Sequence, residues 1–201
     1  MMSGDAKRAA RGACEGVFVR STRPGANVLS ADGKTAIPVS ELTASAGGAA
    51  LLLDDDHAWS FAGTVALIES AEAFWHHDLV LDVDLAIYTA GRMSSRRLLA
   101  WLASTNMEQC RYVHWGDYDP VGAAEYLRIA GNCPGRVTMH LPANLDSLIA
   151  QYGKRDLITG QVSMLHDVRK HTHDPTISHL IDCWDRHHRG LEQEILLRPC
   201  S

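Results

Sequence analysis

The chain has 201 residues, 46% of them hydrophobic and 21% charged, and carries a net charge of −5. This composition is typical of a folded globular protein and excludes global disorder, while the acidic balance argues against coating nucleic acid by charge alone. No apolar stretch approaches the ~20 residues of a membrane helix, and no apolar run follows the basic N-terminus as in a secretory signal. We therefore expect a cytoplasmic protein without a membrane partner.

Residues 1–60 are predicted to form a small N-terminal region that is β-rich or irregular. Turn signals such as Arg23-Pro24-Gly25 separate short apolar runs in this region, which is typical of small antiparallel strands. These runs are 17–19, 26–29 and 36–39. The Ala- and Gly-rich stretch 45–50 is predicted to be a loop.

Residues 61–201 are predicted to form one α/β domain. The predicted strands are 64–68, 85–89, 111–115 and 136–140. Helical patterns follow the first three strands, with Ser94 as the predicted cap of the second helix and Asp119-Pro120 opening the third. Strands alternating with helices predict about four mainly parallel strands flanked by helices. After residue 142 the pattern indicates a helical tail, in which Asp174-Pro175 begins the longest helix.

Three acidic residues follow predicted strands. Glu69 comes after the first strand, and Asp117 and Asp119 come after the third. Ligands of parallel α/β sheets bind beyond the carboxyl ends of the strands, so we expect the three carboxylates to gather there. Hard oxygen ligands of this kind suit Mg²⁺ or Mn²⁺. Gly116 has no side chain and so allows a metal or a phosphate to approach closely.

Four stretches of the domain together resemble the Toprim domain, the fold shared by topoisomerases, bacterial primases and several nucleases. They are Ile68-Glu69-Ser70-Ala71-Glu72-Ala73-Phe74, Tyr88-Thr89-Ala90-Gly91-Arg92, Trp101-Leu102 and Trp115-Gly116-Asp117-Tyr118-Asp119-Pro120-Val121-Gly122. Within that fold they are most similar to the topoisomerase VI A-subunit branch and its JetD-like nucleases of Wadjet plasmid defence. The late Leu191-Glu192-Gln193-Glu194 is also similar to a JetD-like C-terminal motif.

The resemblance implies a Rossmann-like Toprim core that hydrolyses phosphodiesters with Mg²⁺ or Mn²⁺. It assigns both the catalytic and the metal-binding roles to Glu69, Asp117 and Asp119, and it makes Glu194 a further candidate acid. Glu69 could instead act as a general base. The implied substrate is DNA, delivered by partner proteins in a plasmid- or phage-defence complex, and a homodimer is one assembly that this role allows.

Hydrolysis by water is favoured over a covalent tyrosine intermediate. Topoisomerase VI-type enzymes carry their nucleophilic tyrosine upstream of the Toprim domain, whereas every tyrosine of this chain follows Glu69. Arg92, Arg96 and Arg97 open the helix after the second strand, where guanidinium groups and a helix N-terminus suit phosphate. An ordinary solvated helix face explains these arginines equally well.

Two alternatives from other functional classes stay open. A non-catalytic Toprim module could act as a phosphate-binding or assembly subunit, which the short length and acidic charge favour. Some Toprim relatives cleave RNA, and nothing in the sequence separates DNA from RNA as the substrate. Haloacid-dehalogenase-like phosphatases also use a D-x-D pair, but theirs follows the first core strand, so we discount them.

A zinc site is a further candidate in the helical tail. His179, Cys183 and His187 are spaced to share one helix face, and His and Cys are zinc ligands. Burial of the helix face explains the same spacing without a metal. The five cysteines are scattered, odd in number and without a C-x-x-C pair, which argues against a zinc ribbon and a disulfide framework.

Overall fold

The computed structural model describes residues 14–54, 58–90 and 94–198. The strands of these ranges are β1 (Cys14–Arg20), β2 (Asn27–Ser30), β3 (Ala36–Pro38), β4 (Ala49–Asp54), β5 (Trp59–Ser60), β6 (Gly63–Ile68), β7 (Leu85–Tyr88), β8 (Cys110–Trp115) and β9 (Val137–Met139). The α-helices are α1 (Val39–Ala46), α2 (Ala71–Trp75), α3 (Arg96–Ala103), α4 (Pro120–Asn132), α5 (Leu145–Tyr152), α6 (Asp156–Thr159), α7 (Val162–Val168) and α8 (Pro175–His187). None of the described helices is both long enough and apolar enough to span a lipid bilayer.

The main sheet has six strands in the order β4-β1-β7-β6-β8-β9. The adjacent strands β7, β6, β8 and β9 pair in parallel. Strand β1 pairs antiparallel with both β7 and β4. The predicted α/β core with about four mainly parallel strands is therefore confirmed. Its strands coincide with the predicted ones to within one or two residues at each end.

The strand order creates a topological switch point at β6. From β6 the chain crosses to β7 on one side, and later it returns to β8 on the other side. The connections at the carboxyl ends of these strands consequently diverge, and open parallel sheets bind their ligands at such a switch point. The segments that follow β6 and β8 carry the predicted acids.

The N-terminal residues contribute to two sheets. β1 and β4 extend the main sheet, while β2, β3 and β5 form a separate three-stranded sheet in the order β3-β2-β5. The loop predicted over 45–50 is shorter than expected and covers only residues 47–48, because α1 runs to Ala46 and β4 begins at Ala49. A helix ends there because Gly47 adopts a left-handed conformation with φ 85° and donates its N–H to Thr43.

Both faces of the parallel strands are buried, which explains their continuous apolar sequence. Along β6, Val65 and Leu67 belong to the core cluster beneath α3, whereas Ala66 and Ile68 belong to the cluster beneath the helical tail. All four are fully buried. Such runs are typical of central parallel strands covered by helices on both sides.

Helix caps match the sequence at two of three predicted positions. Asp119 caps α4 and Asp174 caps α8, each followed by a proline in the first helical turn. The prediction of Ser94 as a cap is wrong by one residue, because α3 begins at Arg96 and the side chain of Ser95 accepts the N–H of Leu98. The backbone N–H of Ser94 instead donates to Glu125 at 2.8 Å.

Candidate active site

The first acid and the D-x-D pair lie at one edge of the main sheet. β6 and β8 pair in register with Ile68 opposite Trp115, and the N–H of Glu69 approaches the Trp115 carbonyl oxygen at 3.4 Å. Glu69 therefore leaves β6 beside the end of β8, and Asp117 follows two residues after Trp115. This edge is the switch point of the sheet, so the chain topology alone brings these acids together.

Glu69 is a half-buried carboxylate in a negative environment. Burial, followed by the charges of Asp117, Asp119 and Glu125, raises its pKa to about 7. A hydrogen bond from the Asp117 backbone opposes this rise. The Oε2 atom of Glu69 is buried and accepts no hydrogen bond within the described part of the chain. This oxygen is therefore available to a ligand or to a proton.

Asp117 is also held in an environment that disfavours its charge. Burial is the main cause that raises its pKa to about 6, and the charges of Asp119, Glu194 and Glu192 add to the effect. The backbone N–H of Gln193 donates to Asp117 Oδ1 at 2.9 Å and works in the opposite direction. Like Glu69, Asp117 is thus a carboxylate that a cation would stabilise.

Asp119 differs from the other two acids because N–H donors hold both oxygens of its carboxylate. Its side chain is only 3% exposed. Oδ1 accepts the Gly122 N–H at 2.8 Å as the cap of α4, and Oδ2 accepts the Gln161 side-chain amide at 2.6 Å. The helix N-terminus favours a negative charge at this position. Asp119 therefore fixes the start of α4 against the D-x-D turn.

Two glycines allow this turn to pack closely. A Cβ atom at position 122 would lie 2.1 Å from the Asp117 carbonyl oxygen. At position 116 it would lie 2.6 Å from His114 Nε2 and 3.2 Å from Glu69 Oε2. Position 122 consequently requires glycine, and a side chain at position 116 would displace His114 or Glu69. The close approach of a metal or a phosphate to Gly116 stays a prediction.

His114 is a buried residue of this region that the sequence does not single out. It is 1% exposed, and neither ring nitrogen forms a well-aligned hydrogen bond with a described residue. Burial lowers its pKa to about 4, although the charge of Glu125 and the Gly122 backbone oppose the shift. His114 is therefore a neutral imidazole at neutral pH. In the sequence, His114 lies between Val113 and Trp115 in a predicted strand, and this pattern indicates an ordinary core residue.

The C-terminal motif folds directly onto the site. Leu191 and Tyr118 pair in an antiparallel bridge, with backbone N···O distances of 2.8 and 3.1 Å. This bridge brings Glu194 near enough to raise the pKa of Asp117. Gln193 makes the direct contact with Asp117. The sequence motif at residues 191–194 predicts that this segment belongs to the site. It does not predict which of its residues contacts the acids.

The predicted phosphate-binding arginines are only partly described. Arg92 lies outside the described residues. Arg96 and Arg97 form the first turn of α3, which follows β7 at the carboxyl edge of the sheet. Arg96 is exposed and Arg97 is half-buried. The start of α3 is tied to α4 through the hydrogen bond between Ser94 and Glu125.

No zinc site forms at the predicted histidine and cysteine positions. His179 Nε2 lies 3.9 Å from Cys183 Sγ, but His187 Nε2 turns to Asp146 Oδ1 at 3.0 Å. Cys183 is buried, and burial raises the pKa of its thiol to about 11, which disfavours the thiolate that binds metal. These side chains are explained by the packing of α8 on α5.

The oxygen atoms of the acids at this edge of the sheet are suitable ligands for a metal ion. Within the described residues, no three His, Cys, Asp or Glu side chains are already arranged around a common metal position. Neither Glu69 nor Asp117 forms an ion pair with a described cationic side chain. Their oxygen donors, mutual repulsion and the uncommitted Glu69 Oε2 fit a hard divalent cation such as Mg²⁺ or Mn²⁺.

Comparison of the chain with models of known protein families and with curated proteins finds no match.

Proposed function

We propose that this protein is a Toprim-type, Mg²⁺- or Mn²⁺-dependent hydrolase of phosphodiesters, and that its substrate is DNA. One observation carries the proposal: Glu69 and Asp117 share the switch-point edge of a parallel sheet in an environment that raises both pKa values. Strongly perturbed carboxylates in a ligand-binding crevice are typical of functional sites. The strand order, the carboxylate positions and the adjacent C-terminal motif all agree with the Toprim resemblance.

Glu69 and Asp117 are the residues that would hold the metal. When bound, a divalent cation polarises the phosphoryl oxygen and lowers the pKa of coordinated water. Asp119 adds its negative charge from the N-terminus of α4, where Gly122 and Gln161 prevent its carboxylate from rotating. A third, immobile acid beside the first two raises the attraction for a cation without needing to move.

Glu69 Oε2 also has the properties of a proton acceptor. A pKa of about 7 lets the carboxylate take a proton from water near neutral pH. The proton would move from the attacking water to Oε2, while the water oxygen bonds to phosphorus and the bond to the leaving oxygen breaks. Glu69 Oε2 would serve either as a metal ligand or as the general base, because a cation bound at this oxygen would lower the pKa of the carboxyl group.

The tyrosines support attack by water. Tyr118 is fully buried and burial raises its pKa far above the ordinary value, and the Tyr112 hydroxyl donates to the Leu102 carbonyl at 2.7 Å. The Tyr126 hydroxyl donates to Asp174 at 3.0 Å. These three phenols are engaged in packing or hydrogen bonds that hold them away from a nucleophilic role.

DNA would be bound largely with the help of other proteins. The net charge of −5 opposes unaided binding to a polyanion, and Arg96 and Arg97 offer only a small basic cluster. Delivery by partner proteins in a plasmid- or phage-defence complex would overcome this repulsion. The thiols at Cys14, Cys110, Cys133 and Cys183 are free, which agrees with a reducing cytoplasm.

The test is a nicking assay on supercoiled plasmid with Mn²⁺ at low salt. We expect wild type to nick the plasmid and Asp117→Asn to be slower by about 10²–10³-fold, because the variant loses an anionic ligand of the cation that would stabilise the negative charge developing on the phosphate. Glu108→Gln is the matched control, since it removes one acid from the exposed segment before β8, at the opposite edge of the sheet.

Equal rates for wild type and Asp117→Asn would contradict the proposal. If neither cleaves DNA or RNA, even with the products of neighbouring genes present, the non-catalytic module becomes the better interpretation.

A further inference from the structure

We propose that Gln193 is a positioning residue that sets the separation of the Glu69 and Asp117 carboxylates. The inference rests on the proposed function and extends it to a residue outside the acidic set. The Gln193 side chain is remote in sequence from both acids, yet it connects the two segments that carry them.

The backbone places Gln193 over the D-x-D turn. Leu191 pairs with Tyr118 through two backbone hydrogen bonds, and the Trp184 indole N–H donates to the Tyr118 carbonyl at 3.1 Å. Tyr118 and Trp184 are both fully buried. The segment that enters Gln193 is therefore anchored in the core on both sides, and Gln193 N–H reaches Asp117 Oδ1 at 2.9 Å.

The Gln193 side chain then reaches both acid-bearing strand ends. It is 1% exposed. In the amide orientation that satisfies its neighbours, the nitrogen donates to the Trp115 carbonyl at 2.9 Å and the oxygen accepts the Ser70 N–H at 3.2 Å. Trp115 ends β8, two residues before Asp117, and Ser70 directly follows Glu69. One amide thus bridges the ends of β6 and β8.

An uncharged amide of this length meets both requirements. The Trp115 carbonyl needs a donor and the Ser70 N–H needs an acceptor, so an ionised carboxylate fails the first and a lysine or arginine fails the second. A neutral bridge also leaves the negative charge of the acids intact for a cation. The amide of Gln161 forms a similar bridge near Asp119. Its nitrogen donates to Asp119 Oδ2 at 2.6 Å, and its oxygen accepts the Val121 N–H at 3.0 Å.

Residues that orient metal ligands affect affinity although they do not touch the metal. Losing such a partner typically weakens metal binding about 10–100-fold. Gln193→Met keeps the side-chain length and the backbone N–H to Asp117, but it removes both hydrogen bonds of the amide. We therefore expect the Kd for Mn²⁺ to rise by about tenfold or more. Saturating Mn²⁺ should restore most of the nicking rate, since the acids themselves are unchanged.

The experiment measures Mn²⁺ binding by calorimetry and nicking over a range of Mn²⁺ concentrations, for wild type, Gln193→Met and Gln193→Asn. Gln193→Asn keeps the amide but is too short to span both groups, so it should bind Mn²⁺ as weakly as Gln193→Met and remains informative if the latter does not fold. Gln151→Met, on the exposed surface of α5, is the control and should bind like wild type.

The outcomes separate this inference from the proposed function. Wild-type protein that binds no Mn²⁺ would overturn the metal site itself. Wild-type protein that binds Mn²⁺ and cleaves, together with folded Gln193 variants of unchanged Kd, would overturn only the positioning role. A weaker Kd with nicking restored at saturating Mn²⁺ supports it.

Discussion

Gln161 donates its side-chain amide to Asp119 at 2.6 Å, whereas Asp117, two residues earlier, lies in an environment that raises its pKa to about 6. The surroundings of the two carboxylates in the D-x-D pair therefore differ. Two N–H donors hold the carboxylate of Asp119, whereas burial and repulsion disfavour the charge of Asp117. This difference gives substitutions at the two positions opposite effects on stability.

Asp117→Asn should stabilise the metal-free protein. The amide oxygen can still accept the Gln193 N–H, but the variant removes a carboxylate that burial and its acidic neighbours disfavour. Thermal melting in EDTA at pH 8 should give a higher melting temperature than wild type. A lower melting temperature would show that Asp117 is stabilised in its charged form.

Asp119→Ala should destabilise the protein by about 1–2 kcal/mol, because it removes a helix cap and leaves the Gln161 amide without its acceptor. Denaturant unfolding measures the difference. Asp174→Ala is the matched control: it removes the cap of α8 and should also lower stability, yet leave Mn²⁺ binding unchanged. If Asp119→Ala unfolds at the same denaturant concentration as wild type, Asp119 is not a cap of consequence.

Glu69 and Asp117 should make the metal-free protein less stable as pH rises from about 4 to about 7. His77, His114 and His140, whose pKa values burial lowers, contribute in the opposite direction, so the test compares wild type with a variant that lacks the two acids. The folded state raises the pKa of Glu69 from 4.5 to about 7 and that of Asp117 from 3.8 to about 6. Between these values the two carboxyl groups hold more protons in the folded state than in the unfolded state, so their contribution to stability falls with pH and levels off above the folded values. Denaturant unfolding in EDTA at several pH values measures the slope. Combining Glu69→Gln with Asp117→Asn should make the slope of stability against pH more positive than in wild type, and an equal slope in that variant would contradict the assignment.

Arg96→Gln should weaken DNA binding without altering metal binding. If Arg96 contacts a phosphate, the slope of log K against log salt should fall in magnitude by about 1. Fluorescence anisotropy with a short DNA duplex over a range of salt concentrations provides the measurement. Arg111→Gln, exposed at the start of β8, is the control. A slope that Arg96→Gln leaves unchanged would favour the solvated helix face.

The parallel core was predictable because strand periodicity and helix caps are local signals. Asp119-Pro120 determines where α4 begins, and the apolar run 64–68 predicts β6 almost to the residue. The end of α1 at Gly47 was not predictable in this way, since an Ala- and Gly-rich stretch favours a loop as readily as a helix end. Long-range pairing of β1 with β7 leaves no signal in either strand alone.

The sequence predicts only the part of the site that follows from the order of the strands. Acids after two parallel strands must meet at one edge, so Glu69 and Asp117 could be named from the sequence. The contacts of Gln161 and Gln193 connect residues 42 and 76 positions apart, and no sequence pattern around either glutamine points to its partner. His114 likewise appears as one more residue of a buried strand.

The most direct test of the account is the binding of Mn²⁺ to the folded protein, measured as a shift in melting temperature against EDTA. At a free Mn²⁺ concentration a hundred times Kd, binding stabilises the native state by about 2.7 kcal/mol. In a chain of this length, that is a rise of roughly 5–10 °C. We predict this rise for wild type and its loss in the protein that combines Glu69→Gln with Asp117→Asn. An equal rise in both proteins, or none in wild type, would contradict a metal site at the acidic edge of the sheet.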